Sequence, residues 1–155
     1  HEQSVSVKSM HNLIIQAFFG QLAALSYRRV AARLSDFPID CALADRIDAA
    51  DTIEAMAEEV PGLTEAETSY LLCATYAKVL DVLRWRDMAV RRDLLSDAIA
   101  SYRMFRRNLG RPAEQLRRLI GANIRRFVTQ RGGRRAALHM RAQLLFARLA
   151  LAVRK

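Results

Sequence analysis

"PAEQLRRLIGANIRRFVTQ", residues 112–130, is the stretch of sequence that decides the fold class. At 3.6 residues per turn its apolar residues fall on one face, formed by Leu116, Leu119, Ile120, Ile124, Phe127 and Val128. Pro112 suits the first turn of a helix, and Gly132–Gly133 follow as a stop signal. The stretch therefore predicts an amphipathic helix with one buried face.

The same helical period recurs along the rest of the chain. Thr64 and Glu67 have the spacing of a capping box, and Asp40 suits an N-cap. The pattern predicts further helices over Ser9 to Leu34, Cys41 to Val60, Glu65 to a break near Arg84–Met88, on from that break to Leu109, and Arg134 to Val153. No stretch has the period of a strand. We predict an all-α protein, an irregular helical bundle of five to seven helices.

Length and charge bound the domain organisation. The chain has 155 residues, six Gly and three Pro, which predicts a single helical domain over residues 1–155. Residues 1–81 hold six Lys/Arg against twelve Asp/Glu, and residues 82–155 hold nineteen against four. We therefore expect an acidic half and a basic half. The first residue is His, which leaves open that the domain is excised from a longer chain.

The cysteines and the hydropathy of the chain argue against a metal site, a cofactor and a membrane span. Cys41 and Cys73 lie within apolar helical patterns, which predicts buried free thiols, and no His stands at ligand spacing from either. We expect no metal site and no cofactor. No apolar run approaches the roughly 18 residues of a membrane span. These features predict a cytoplasmic protein, unless the chain is a fragment of a secreted one. The 22 Arg against three Lys fit a GC-rich genome, and we expect a bacterial source.

The arginines of the basic half point to an anionic partner. Twelve arginines and one acidic residue, Glu114, lie between Arg103 and Arg141. Dense positive charge with few acids is the signature of phosphate binding, because Lys and Arg release the counterions of nucleic acid. We predict a non-enzymatic regulatory or accessory module that binds nucleic acid through Arg106, Arg107, Arg111, Arg117, Arg118, Arg125, Arg126, Arg131, Arg134 and Arg135.

Two short resemblances bear on this prediction. "IGANIRRFVTQRGG", residues 120–133, resembles the opening helix of Cro/repressor-type helix-turn-helix domains, but the following "RRAALHMRAQLLF" lacks their Gly-centred turn and polar recognition helix. We therefore expect phosphate neutralisation rather than base reading. Arg134 and His139 have the R-x4-H spacing of the all-helical HEPN ribonucleases. That resemblance implies an Arg that holds phosphate and a His that moves a proton, although Arg135 replaces the polar residue those enzymes favour.

Other partners remain as alternatives. The amphipathic helices also fit a protein-interaction domain, such as an adaptor, a chaperone or a secreted effector fragment. The arginines at every seventh residue from Arg134, beside a broad apolar surface, also suit an anionic membrane surface. Homodimerisation is compatible with each alternative. The aromatic residues of the central region, including Trp85, could stack on bases or anchor a partner, but their helical spacing predicts core positions.

Overall fold

The computed structural model describes residues 7–104, 111–131 and 133–152. Within these ranges the chain forms helices and no strand: α1 (Val7–Ala31), α2 (Cys41–Ala49), α3 (Ile53–Glu59), α4 (Glu65–Trp85), α5 (Arg92–Met104), α6 (Arg111–Arg131) and α7 (Arg134–Ala152). The prediction of an all-α bundle is confirmed.

The starts of α2 and α4 are fixed by local hydrogen bonds. Asp40 accepts a bond from the backbone N–H of Leu43 at 2.7 Å, as predicted for an N-cap. The Oγ1 of Thr64 accepts from the N–H of Glu67 at 3.2 Å, and the Glu67 carboxylate accepts from the N–H of Thr64 at 2.9 Å. This reciprocal pair is the predicted capping box.

The predicted single helix from Cys41 to Val60 is wrong, because the chain breaks between α2 and α3. Thr52 accepts a bond from the N–H of Ala55 at 3.1 Å, so its hydroxyl starts a new helix instead of continuing the old one. The break lets both Ile47, in α2, and Ile53, in α3, reach the core.

The predicted break in the long central run is confirmed between α4 and α5. The N–H of Met88 donates to the carbonyl of Leu83 at 2.9 Å, and the N–H of Asp87 donates to that of Arg84 at 3.3 Å. Asp87 has a φ of +53°, in the left-handed region. These bonds form a Schellman motif, which ends α4 and turns the chain back.

Hydrogen bonds between helices set their directions. Asn123 and Arg126, three residues apart on α6, bond to the carbonyls of Leu80 and Leu83, three residues apart on α4. Helices α4 and α6 are therefore parallel. Arg103 near the end of α5 bonds to a carbonyl of α7, and the starts of α5 and α7 share one cleft, so these two are also parallel. The four helices run up, down, up and down.

The three N-terminal helices pack onto this four-helix unit. Arg29, at the end of α1, donates to the Glu67 carboxylate at 2.9 Å and to the carbonyl of Gly62 at 3.2 Å. Met10, near the start of α1, lines a cavity with Tyr76 further along α4, so the two helices are antiparallel. One cluster of buried apolar side chains includes residues from each of the described helices, from Phe18 in α1 to Met140 in α7.

One cysteine and one aromatic residue that were predicted to be buried are exposed in the structure. Cys41 is exposed at the first position of α2, so the prediction that both thiols are buried holds only for Cys73. Burial raises the pKa of the Cys73 thiol to about 12. Tyr76 and Tyr102 lie in the core as predicted, but Trp85 is 88% exposed. The core prediction is wrong for Trp85 because α4 ends there.

Candidate nucleic-acid interface

The topology places four helix termini at one end of the bundle. Helices α4 and α6 end there, and α5 and α7 begin there. We call this region the basic end; it comprises Arg84, Trp85, Arg86, Arg91, Arg92, Arg126, Arg134, Arg135 and His139. Two carboxylates of the adjacent turn and helix, Asp87 and Asp93, pair with Arg126 and Arg91 respectively. The basic end therefore keeps an excess of positive charge.

An open cleft of about 660 Å³ lies at the basic end, between the starts of α5 and α7. It is lined by Arg92, Gly133, Arg134, Arg135, Ala136 and His139. The three arginines and the histidine are exposed. In the part of the chain that the structure describes, no carboxylate forms an ion pair with any of these three arginines. As far as the described residues show, the cleft therefore presents three guanidinium groups without a carboxylate partner to solvent.

The backbone adds to this charge. The first N–H groups of a helix have no partner within the helix, and the helix dipole places partial positive charge there. The α5 amides of Asp93 and Leu94 already donate to the Asp93 carboxylate, so the start of α7, at Arg134, is the terminus that adds this charge to the cleft. Helix starts and guanidinium groups both donate hydrogen bonds to anions, so the arrangement suits a phosphate group.

Gly133 makes the close connection between α6 and α7. Its carbonyl accepts from the N–H of Ala137 at 2.9 Å, which begins α7. A Cβ added at Gly133 would lie 2.8 Å from Cε1 of Phe127, whose ring is buried. A Cβ at this position would therefore require the buried Phe127 ring to shift. The absence of a side chain at Gly133 therefore allows α7 to begin close to the Phe127 ring, with Arg134 and Arg135 as its first residues.

His139 is oriented by its own helix. Its Nε2 lies 2.8 Å from the amide nitrogen of Gln143. Gln143 is the one hydrogen-bond partner that the described residues give this ring. Arg134 and His139 do line the same cleft, and together they can contact an anion.

Among the predicted arginines, Arg126 lies at the basic end, but its guanidinium group is engaged in hydrogen bonds within the fold. Its side chain is 17% exposed, and its Nη1 donates to the carbonyl of Leu83 at 2.9 Å. Its Nη2 donates to the Asp87 carboxylate. The dipole of α4 stabilises a cation at the C-terminus of that helix. Through these bonds Arg126 joins α6 to α4. Its charge is largely compensated within the fold.

Arg117 and Arg118 lie towards the other end of α6 and pair with Glu114, at 2.8 Å from Arg117 Nε and 3.2 Å from Arg118 Nε. The hydrogen bond from Arg117, with that from Arg118, lowers the pKa of Glu114 to about 2.

Arg125 is exposed, with no ion-pair partner among the described residues. Arg106 and Arg107 lie outside the described residues, as do the side chains of Arg111 and Arg131. The structure thus brings Arg126, Arg134 and Arg135 to one end and places Arg117 and Arg118 away from it.

Sequence reasoning missed part of the cleft. Arg92 stands before the arginine-rich stretch that begins at Arg103, so it was not among the predicted binding arginines. The signal available was the Arg91–Arg92 doublet after the break at the end of α4. Its proximity to Arg134 follows only from the parallel packing of α5 and α7.

Other kinds of site receive no support from the described residues. Among them no group of three or more His, Cys, Asp or Glu side chains could hold a metal ion. No helix in those ranges has the length and hydropathy needed to cross a membrane. A second cavity, of about 170 Å³, is lined by three carboxylates, Asp51, Asp93 and Asp97, and by one cation, Arg91, which pairs with Asp93. Its acidic lining makes it unsuitable for an anion.

Fold and site define the class of protein as an all-α helical bundle with an open basic cleft at one end. Comparison with protein-family models, with curated protein sequences and with solved structures finds no match.

Proposed function

We propose that this protein is a non-enzymatic binding module for nucleic acid, which it contacts through phosphates at the basic end. The observation that carries the proposal is the cleft, where Arg92, Arg134 and Arg135 form no ion pair with a carboxylate of the described chain. Concentrated positive charge that is not spent on internal ion pairs is what an anionic polymer requires.

The distribution of arginines supports phosphate contact without base reading. Arg134 and Arg135 stand at the start of α7, where backbone N–H groups can also donate to a phosphate. The outer face of α7, by contrast, exposes the apolar residues Leu138, Leu145, Phe146 and Leu149, which cannot hydrogen-bond to base edges. Binding that depends on phosphates alone tolerates many sequences.

Charge reversal at the cleft tests this proposal. We expect the double substitution Arg134→Glu and Arg135→Glu to weaken binding of a labelled oligonucleotide on the order of ten-fold or more, because two phosphate contacts become repulsive. The slope of affinity against salt, measured by fluorescence anisotropy from ~50 to ~300 mM, should fall by about two.

The matched control is Arg141→Glu with Arg148→Glu, which makes the same charge change on the same helix but outside the cleft. Both control arginines are exposed. We expect this control to weaken binding less than the cleft variant. An equal loss would show a general charge effect and contradict the location, and absence of binding at low salt would contradict the function. Cleavage of a labelled RNA in the same mixtures would instead assign ribonuclease activity.

A second candidate function, protein interaction, is favoured by the outer face of α7. Leu138, Leu145, Phe146 and Leu149 are between 49% and 68% exposed, while Met140 and Ala147 face the core. Spacings of seven and four residues place the three leucines on one line. A contiguous exposed apolar surface commonly marks an interaction site.

A second copy of the chain is the first partner to test. The arginines beside this face would repel those of another copy, so we expect self-association only when salt screens them. Light scattering should then show a concentration-dependent dimer at high salt, lost after Leu145→Gln with Phe146→Gln. Because both side chains are exposed, this variant should keep the wild-type melting temperature. A monomer at every salt concentration would contradict a homodimer through this face.

A further inference from the structure

Trp85, the only tryptophan of the chain, stands at the basic end with its side chain in solvent. It is 88% exposed, more than any other large hydrophobic residue described, and it lies between the exposed Arg84 and Arg86. Trp buries a large apolar surface when it packs, so it is usually among the better buried residues. An indole this exposed contributes little to the core and offers a flat apolar surface to a ligand.

The backbone that carries Trp85 is held firmly. Trp85 is the last residue of α4, directly before the Schellman motif closed by Met88 and Leu83. Arg126 of α6 donates hydrogen bonds to the Leu83 carbonyl and the Asp87 carboxylate of the same turn. The exposed ring therefore projects from an ordered turn that is bonded to the neighbouring arginine-rich helix.

We propose that Trp85 stacks on a base of single-stranded nucleic acid whose phosphates are held by the arginines of the basic end. This inference rests on the proposed function and names its substrate class. Aromatic side chains bind single strands because every base has a flat face, and arginines beside them neutralise the backbone. In a duplex the bases are already stacked on each other, so the indole gains little there.

The charge around Trp85 favours a nucleic acid over a protein partner. Protein interfaces enrich both Trp and Arg, but their anchors lie in a largely apolar centre. Among the described residues of α4, α5 and the turn between them, Trp85 is the one large apolar residue that is exposed. The chain neighbours of Trp85 are Arg84, Arg86 and Asp87, and each is exposed. A stacking residue, in contrast, needs positive charge close by and one free ring face.

The single tryptophan provides the measurement. We expect a single-stranded oligonucleotide to quench the Trp85 fluorescence, and a duplex of the same sequence to quench it much less. Trp85→Ala should weaken single-strand binding on the order of ten-fold, measured with a labelled strand, and change duplex affinity little. Trp85→Phe should retain part of the affinity, because its ring can still stack.

Tyr27→Ala is the matched control, because Tyr27 is 77% exposed but lies near the end of α1, at the opposite end of α4. We expect it to leave binding unchanged, and melting curves should show each variant folded. Equal losses on single strands and duplexes, or an unchanged Trp85 emission with bound single strand, would overturn the stacking while the proposed function stands. A failure of both nucleic acids to bind wild-type protein would overturn the proposed function itself.

Discussion

Replacing Asn123 by Asp should lower the free energy of unfolding by about 3–5 kcal/mol, the range seen when a buried charge is left without a partner. Asn123 is fully buried between α6 and α4. Its Nδ2 donates to the carbonyl of Leu119 at 2.9 Å and to that of Leu80 at 3.4 Å. A carboxylate cannot donate, so Asp would direct negative charge at two carbonyl oxygens.

The loss should depend on pH with a defined sign. In the folded variant, burial and the two carbonyls favour the protonated acid, so its pKa is raised above that in the unfolded chain. Folding then takes up a proton, and the destabilisation grows as the pH rises from the acidic range towards neutral. Urea unfolding followed by circular dichroism at several pH values measures this dependence.

Asn123→Leu is the matched control for this prediction. The Oδ1 of Asn123 has no hydrogen-bond partner among the described residues, so the amide itself is incompletely satisfied. An apolar side chain of similar size removes the polar group without introducing charge, and we expect a change within about 1 kcal/mol. If Asn123→Asp lost no more stability than Asn123→Leu, the carboxylate would not be held in a buried site facing the two carbonyls, and the prediction would be wrong.

The extent to which the fold follows from the sequence depends on the range of the interactions. Helix α6 could be predicted because its apolar period is local, and Leu116, Ile120 and Ile124 are all fully buried. The break between α2 and α3 could not, because the apolar pattern continues across it. Only the hydroxyl of Thr52, which caps α3, marks the boundary. A side chain that competes with the backbone can thus end a helix where periodicity predicts continuation.

The candidate site shows the same division. The Arg134–Arg135 doublet could be found from sequence because it follows a glycine stop. The contribution of Arg92 could not, since it depends on how α5 packs beside α7. The exposure of Trp85 was missed because helical spacing does not show where a helix ends. Local charge is visible in a sequence, but the convergence of helix termini is a property of the topology.

Replacing Phe18 by Ala should lower the free energy of unfolding of the whole chain by about 3–5 kcal/mol. Phe18 is fully buried in α1, and its ring makes an edge contact with Phe19 at a centroid distance of 6.3 Å. The same buried cluster continues through α4 to α7. If the cluster is one cooperative core, a cavity in α1 destabilises the C-terminal helices as much as the N-terminal ones.

Thermal and urea unfolding followed by circular dichroism test that cooperativity. We expect one transition that includes the full helical signal and moves as a unit in the Phe18→Ala variant. Tyr27→Ala, on the same helix but exposed, should shift it by no more than about 0.5 kcal/mol. An early transition that removes only part of the signal would instead show that the acidic N-terminal helices unfold separately. The basic end would then keep its four-helix support without them, because the bonds that orient it run between α4, α5, α6 and α7.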